Sequence, residues 1–506
     1  MTRERNDRRR AGILLPISAL PSRYGIGCFS KSAYRFVDFL AETGQSDWQI
    51  LPLGITGYGD SPYQSFSAFA GNPYFISLDG LIDDGLLDVR ECERTELGAD
   101  RERVDYAKQY ENRYRLLRLA WGRVGKGKCE EQLVFEEKNR VWLEDFARFM
   151  ACKARTNGLP LSDWSEEIRL REPSALERLD EEAADEIEFW KFLQFRFFEE
   201  WKLLRKYANR NGISIIGDLP IYVSADSADL WAHAELFCVD AQKRPTVVAG
   251  CPPDGFSPEG QLWGNPIYRW EAHRQRAYAW WIQRFRQALE LYDTVRIDHF
   301  RGFDAYYAVD ADAKSAREGR WLSGCGIELF DAVRSALGEI DGIAEDLGFL
   351  TDSTRRLVQQ SGFASTKVFM LAFDECDKGF ESEYMPHRYG ANSAAYTGTH
   401  DNPTLREWLQ GLSAKKEAHL RAYLCDRFTP REQLCEPIIG TLMRSSAQRC
   451  IIPMQDYLEL SGEGRLNRPA TEQGNWQWRM RADALDGALK EKIIRLTELG
   501  GRFNRT

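Results

Sequence analysis

Eight short apolar segments, most of them separated by amphipathic helical stretches, constrain the fold of this 506-residue chain more than any other feature. Each segment is a continuous apolar run, which is typical of parallel strands that are covered on both faces. The eight segments are Ile13–Ser18, Trp48–Leu53, Ile213–Gly217, Thr294–Ile297, Ile343–Ala344, Thr366–Met370, Ala394–Thr397 and Ile451–Met454. Strands that alternate with helices predict a parallel α/β sheet, and eight such units favour closure into a (β/α)8 TIM barrel.

The spacing of these segments predicts helical and loop insertions within a single catalytic barrel unit that spans residues 1–506. Roughly 160 residues separate the second segment from the third, and we interpret residues 72–210 as a mostly helical insertion subdomain after strand 2. Within it, Glu186–Tyr207 places apolar side chains at three- and four-residue intervals. A second insertion, residues 224–274, is rich in Gly and Pro, which favours a structured loop.

Composition and charge exclude several classes of protein. The formal net charge is −9 and no long basic run occurs beyond the N-terminal tail, so we expect no nucleic-acid partner. No apolar run approaches the roughly eighteen residues of a membrane span, and the tail does not resemble a signal peptide; we expect no membrane partner and a cytoplasmic protein. The eleven cysteines lack C-x-x-C spacing, which favours reduced thiols over a disulfide framework.

Three carboxylates fall where predicted strands end. Asp298 follows T-V-R-I, Glu345 follows G-I-A, and Asp401 lies in Y-T-G-T-H-D-N-P just after the seventh strand. Because the C-terminal strand ends of a (β/α)8 barrel converge on one mouth, we expect these side chains to form a single acidic site. Each of them alone would pass for an ordinary helix cap or loop residue. Three carboxylates around one pocket suit either a divalent metal ion or the cleavage of a glycosidic bond.

Cleavage of a glycosidic bond with retention gives two carboxyl groups different tasks. One is the nucleophile and the other the proton donor, at a separation of roughly 5–5.5 Å. Arg296 precedes Asp298 by two residues on the same strand face, so its guanidinium should keep that carboxylate ionised. Glu345 has no basic neighbour in sequence, and we expect the surrounding carboxylates to raise its pKa and suit it to proton donation.

Polar and aromatic neighbours of the carboxylates are candidates for substrate contacts. Two of the six histidines, His299 and His400, adjoin predicted catalytic carboxylates, and neutral imidazole is a good partner for sugar hydroxyls. Asp218 ends the third predicted strand, and Tyr63 lies among Pro and small polar residues, which favours a solvent-facing ring. No H-x-x-x-H or Cys/His cluster occurs, which disfavours zinc, whereas Mg²⁺ or Ca²⁺ held by the same carboxylates remains the chemical alternative.

Six motifs together carry a specific resemblance. They are S-P-Y-Q-S, G-D-L-P-I-Y-V, G-C-P-P-D-G-F-S-P-E-G-Q-L-W-G-N-P-I-Y, V-R-I-D-H-F-R-G, I-A-E-D-L-G and T-G-T-H-D-N-P-T. From G-I-L-L-P-I-S-A-L-P-S near the start to about Trp478, the chain resembles the 4-α-glucanotransferases called amylomaltase or disproportionating enzyme. These enzymes are a branch of the α-amylase superfamily of retaining glycosidases.

The resemblance implies a role for each candidate residue. Asp298 would be the nucleophile, Glu345 the acid/base and Asp401 the stabiliser of the transition state. The substrate-binding positions that it implies are Tyr63, Ser61, Asp218, Arg296, His299, His400, Asp254, Phe256, Trp263 and Asn467. The loop with Asp254, Phe256 and Trp263 resembles one that arches over the acceptor side. No cofactor and no metal are implied, because Leu-Pro-Ile-Tyr-Val follows Asp218 where common α-amylases carry a calcium-tied Asn-His.

The implied activity is that of a 4-α-glucanotransferase. A segment of an α-1,4-glucan would move to the 4-hydroxyl of glucose or another maltodextrin through a covalent glucosyl-enzyme. The expected partners are therefore α-1,4-glucans, maltodextrins and glucose. Two alternatives are an α-glucan hydrolase and a non-catalytic glucan-binding or regulatory protein.

Overall fold

The computed structural model describes residues 8–57, 59–125, 127–253, 258–348, 350–374, 378–471 and 473–505. These residues contain twelve strands. In chain order they are β1 (Arg10–Leu14), β2 (Asp47–Gln49), β3 (Ser214–Leu219), β4 (Val247–Cys251), β5 (Gln261–Pro266), β6 (Thr294–Ile297), β7 (Ala305–Asp310), β8 (Arg320–Ser323), β9 (Gly342–Ala344), β10 (Ala364–Val368), β11 (Ser393–Tyr396) and β12 (Arg449–Pro453).

Eight of these strands close a parallel barrel in the order β1-β12-β11-β10-β9-β6-β3-β2. The predicted (β/α)8 barrel is thus confirmed, and each predicted apolar segment overlaps one barrel strand. The largest shift is in β1, which ends at Leu14 instead of Ser18. Pro16 has no N–H to donate to a ladder, and Ile17–Ala19 forms a 3₁₀ turn instead.

A second, smaller sheet contains the other four strands, in the antiparallel order β5-β4-β7-β8. Two of them lie within the region predicted as a structured loop, residues 224–274, and two follow β6. The sequence did not predict this sheet, because β4 and β5 carry Gly or Pro within the strand and β8 is largely exposed. Gly250 is one cause: a Cβ there would lie 2.5 Å from the carbonyl oxygen of Gln261 on the neighbouring strand.

Helices cover the barrel and fill the long interval between β2 and β3. Their bounds are Lys31–Glu42, Leu78–Asp83, Val89–Arg94, Tyr106–Lys108, Tyr114–Val124, Glu130–Arg155, Glu166–Arg169, Pro173–Glu182, Ala184–Arg210, Ala228–Ala232, Trp270–Gln275, Ala279–Leu291, Ile327–Leu337, Asp352–Ser361, Leu371–Asp374, Leu405–Gln410, Ala414–Leu424, Cys435–Arg444, Met454–Tyr457 and Gly487–Leu499. A π-helical segment, Gln109–Arg113, joins the fourth and fifth of these helices. None of the helices in the described residues has the length and apolarity to cross a membrane.

The register of the parallel strands determines how far along the barrel axis each candidate side chain lies. Asp218 on β3 is in register with Arg296 on β6, and β6 in turn pairs with β9, which ends just before Glu345. The carboxyl ends of these three neighbouring strands therefore face the same mouth. The ten cysteines of the described residues are free thiols, in line with the reduced state expected from their spacing.

Candidate active site

A buried arginine lies at the centre of the barrel mouth. Arg296 Nη1 donates to Asp218 Oδ2 at 2.5 Å and to Asp298 Oδ1 at 3.3 Å, and Nη2 lies 3.6 Å from Glu345 Oε1. The Arg296 and Asp218 side chains are 1% and 0% exposed, whereas Asp298 and Glu345 are 26% and 19% exposed. One guanidinium thus holds a buried carboxylate behind it and two partly open carboxyl groups at the cavity.

Glu345 is fixed to the chain segment around the predicted nucleophile by three hydrogen bonds. Its backbone N–H donates to the Ile297 carbonyl at 3.0 Å, and its own carbonyl accepts from the Phe300 N–H at 3.1 Å. The His299 N–H donates to Glu345 Oε2 at 2.5 Å. His299 adopts left-handed backbone geometry with φ 49°, an uncommon conformation for a residue other than glycine, and its N–H meets the Glu345 side chain in that conformation.

Asp401 lies on the other side of the mouth, between two contacts. Asn467 Nδ2 donates to Asp401 Oδ1 at 2.6 Å, and His400 Nε2 lies 3.3 Å from Asp401 Oδ2. Burial works against the ionised carboxylate, but the charge and hydrogen bond of His400 and the bond from Asn467 outweigh it and hold the pKa of Asp401 below its usual value. The same ion pair raises the pKa of His400 against the effect of burial.

Asp298 and Glu345, the two partly open carboxyl groups beside Arg296, both bind protons more strongly than free carboxyl groups in water. Burial, followed by the charge of Glu345, raises the pKa of Asp298 well above its usual range in spite of Arg296. Burial also raises the pKa of Glu345. Arg296 opposes this rise in the pKa of Asp298, but desolvation and the second carboxyl group outweigh it. The two groups behave as one coupled pair that retains a proton to higher pH than isolated carboxyls do.

Tyr63 contributes both a hydroxyl and a ring to the cavity. Its hydroxyl donates to Asp218 Oδ2 at 2.8 Å and lies 3.4 Å from His400 Nδ1. The Tyr63 and His400 rings stack with centroids 5.1 Å apart. Ser61 shapes this turn, because its Oγ accepts from the Tyr63 N–H at 3.3 Å. Tyr63 is half-buried against Trp476, so its ring is less open to solvent than the loop composition predicts.

Trp263, on strand β5 of the smaller sheet, packs against a residue of the site. Its ring packs edge-on against His299, the residue after the nucleophile candidate Asp298, with centroids 4.9 Å apart. Burial, followed by the charge of Arg301, lowers the pKa of His299 to about 4, so this imidazole is neutral near pH 7, as expected. Asp254 and Phe256, the other predicted residues of this loop, lie outside the described residues.

Two further carboxylates at strand ends were not among the predicted site residues. Asp346 follows Glu345 and accepts from Ser365 Oγ at 2.6 Å and the Thr366 N–H at 2.8 Å. Asp456 follows β12 by three residues and accepts from two groups near Asp401. The signal that identified the three candidates, an acidic residue just beyond an apolar run, is present at both positions. No group of three or more His, Cys, Asp or Glu side chains fit to hold a metal ion occurs among the residues that the structure describes.

Comparison with known proteins shows the family. The family model Glyco_hydro_77, described as 4-alpha-glucanotransferase, matches residues 15–485. The 4-alpha-glucanotransferase of Streptococcus pneumoniae serotype 4 is 46% identical over 504 residues, which cover 98% of each chain. That of Thermus thermophilus is 43% identical over 481 residues, 93% of this chain and 95% of the relative.

Solved structures agree with the sequence comparison. The amylomaltase of Streptococcus agalactiae in complex with acarbose superposes with a TM-score of 0.95 at 39% identity, covering 98% of this chain and 100% of that one. The amylomaltase of Corynebacterium glutamicum, at 17% identity and a TM-score of 0.79 over 98% of this chain and 76% of its own, shares the fold. The chain belongs to the Glyco_hydro_77 family and is an enzyme with 4-alpha-glucanotransferase activity.

Proposed function

We propose that Asp298, Glu345 and Asp401 carry out the transfer by a double displacement on α-1,4-glucans. The observation that supports this assignment best is the guanidinium of Arg296, which contacts the first two carboxyl groups from one buried position. A pair of carboxyl groups that retains one proton provides the two forms that the retaining reaction requires, one ionised and one protonated. Arg296 supplies the fixed positive charge that keeps the ionised partner in place.

In the first half of the reaction, Asp298 attacks the anomeric carbon while Glu345 gives its proton to the leaving glycosidic oxygen. The C–O bond to the leaving chain breaks as the bond to Asp298 forms, which leaves a covalent glucosyl-enzyme and a free glucan end. Asp401, whose pKa is held low, stays ionised and stabilises the positive charge that develops on the sugar ring. Tyr63, with Asp218 behind it, is placed to contact the same ring.

In the second half, Glu345 acts as the base. It takes the proton of the incoming 4-hydroxyl, whose oxygen displaces Asp298 and restores an α-1,4 bond. Water at roughly 55 M competes with this acceptor, but an oriented acceptor reaches effective concentrations on the order of 10⁵ M or more. Trp263, beside His299 at the rim, provides a ring on which an acceptor sugar can be oriented. The partners in this scheme are α-1,4-glucans, maltodextrins and glucose.

A time course with pure maltotriose tests the transfer. We expect glucose together with longer maltodextrins, while the number of reducing ends stays nearly constant. A steady rise in reducing ends would instead make the enzyme a hydrolase.

Isosteric substitutions test the residue assignments. Asp298→Asn, Glu345→Gln and Asp401→Asn should each abolish nearly all turnover, and Glu345→Gln should still bind maltodextrin because the amide keeps the shape of the side chain. Asn402→Ser, next to Asp401 but turned toward Thr399, is a control for changes in the same loop. Substantial turnover in any of the three carboxyl variants would remove that residue from its assigned role.

A further inference from the structure

We propose that Gln455 and Asp456 are positioning residues that set the orientation of Asp401 from both sides. Both side chains are buried. They lie in the single helical turn Met454–Tyr457 that follows β12, the barrel strand next to β11. The proposal rests on the assignment of Asp401 as the stabiliser of the transition state.

Asp456 holds both ends of the segment that carries His400 and Asp401. Thr397 Oγ1, at the end of β11, donates to Asp456 Oδ2 at 2.5 Å. The Leu405 N–H, where the next helix begins, donates to Asp456 Oδ1 at 2.7 Å. Each carboxylate oxygen therefore accepts a hydrogen bond from a different end of the segment.

Gln455 holds the second segment that meets Asp401. Its Nε2 donates to the Gly464 carbonyl at 3.2 Å, three residues before Asn467, which donates to Asp401. The side chain is 3% exposed and packs directly beneath Gly464, where a Cβ would lie 3.4 Å from its Cγ. Gln455 and its neighbour Asp456 thus fix the two chain segments that meet at Asp401.

The chemical nature of Asp456 supports a role beyond packing. It is 1% exposed, and burial raises its pKa to about 6 although its two hydrogen-bond donors, the Thr397 hydroxyl and the Leu405 N–H, are neutral. Keeping an ionised group buried without a cation is costly, so a carboxylate is a poor choice for a purely structural contact. What it provides is simultaneous contact with the Thr397 hydroxyl and the Leu405 N–H, eight residues apart, on either side of Asp401.

Substitution of Thr397 tests this arrangement without altering a residue of the cavity. Thr397→Val keeps the volume and removes the hydroxyl donor, and Thr397→Ser keeps the donor and removes a methyl group. We expect Thr397→Val to lower kcat with maltotriose at least about tenfold, because small displacements of a catalytic group cost rate steeply, with KM within about twofold. Thr397→Ser should restore kcat to within about threefold of the native enzyme. Asp456→Ala, which removes both acceptors, should lower kcat about 100-fold.

The assays are run well below each variant's thermal unfolding midpoint, so that loss of folded enzyme does not contribute. An unchanged kcat in folded Thr397→Val or Asp456→Ala, or equal losses in the Val and Ser variants, would overturn the proposal. If both fail to fold, Gln455→Leu decides: a kcat lowered at least about fivefold with unchanged KM supports it, and an unchanged kcat overturns it. Turnover by Asp401→Asn is a separate result that bears only on the assignment of Asp401.

Discussion

Arg296 and Asp298 are two positions apart on one side of β6, and Nη1 of the arginine lies 3.3 Å from Oδ1 of the aspartate. The same Nη1 donates to Asp218, and Nη2 lies close to Glu345. A planar guanidinium can serve three carboxyl groups at once because its donors point in fixed, different directions. The arginine that contacts all three carboxyl groups therefore belongs to the barrel strand β6.

Arg296→Lys should lower kcat/KM for maltotriose about 10²- to 10³-fold, because an ammonium group cannot keep all three contacts. The measurement is initial glucose release from maltotriose. Arg481→Lys, at an exposed ion pair with Glu102, is a matched control that should change kcat/KM less than about twofold. Equal effects of the two substitutions would show that Arg296 has no special position.

The pH dependence of kcat/KM should be bell-shaped, with its acid limb at higher pH than an ordinary aspartate gives. The pKa of Asp298 is raised, so as the pH falls its carboxylate takes up a proton earlier and the nucleophile is lost. As the pH rises, the pair loses its shared proton and the acid is lost. An acid limb near pH 4, the value for a free carboxyl group, would contradict the raised pKa.

Trp263→Ala should increase the share of hydrolysis relative to transfer roughly two- to tenfold, since one aromatic contact is worth about 0.5–1.5 kcal/mol. Comparing new reducing ends with released glucose in the same reaction measures this ratio. Trp263→Phe keeps a ring against His299 and should behave nearly like the native enzyme. An unchanged ratio in Trp263→Ala would exclude this ring from acceptor orientation.

Treatment with EDTA followed by gel filtration should leave transfer activity unchanged. In the described part of the chain the positive charge among the carboxylates comes from Arg296, and no cluster of side chains there is fit to hold a metal ion. Activity is compared before and after treatment, with and without added Mg²⁺ or Ca²⁺. A loss that either ion reverses would favour the metal alternative.

In Asp346→Asn, the free energy of unfolding should fall less between about pH 4 and pH 7 than it does in the native protein. Burial raises the pKa of Asp346 to about 6, above its unfolded value, so its stabilising contribution is present at low pH and is lost as the pH rises through 6. The side chain is 5% exposed, and the effect is on the order of 2 kcal/mol. Urea unfolding of both proteins at several pH values measures it, and parallel curves would contradict the raised pKa.

Much of the barrel could be predicted because its strands are continuous apolar runs that end in functional side chains. Thr294–Ile297 coincides with β6, and the carboxylate after it identified the site. The smaller sheet was missed because β8, with Trp321 exposed, and β4, with Gly250 at a close backbone approach, lack that pattern.

The electrostatics of the site depend on three-dimensional proximity and could be predicted only in part. The contact of Arg296 with Asp298 follows from strand geometry, since residues two apart share a face. Its contact with Glu345, 49 positions further along the chain, depends on how β6 and β9 pair. Desolvation, which dominates the pKa of Asp298, is likewise a property of the assembled mouth. Asp456 carried the same sequence signal as the predicted carboxylates and was overlooked.

The hydrogen bonds between residues 297–300 and Glu345 limit how the stereochemistry of the reaction could be changed by mutation. Inverting enzymes need their carboxyl groups about 6.5–9.5 Å apart, so that a water molecule fits between them. Here the proposed nucleophile Asp298 and the proposed acid Glu345 lie on two segments that these hydrogen bonds join next to the left-handed residue His299. We therefore expect that an inverting enzyme could be made only by changing the backbone of these segments as well as the side chains.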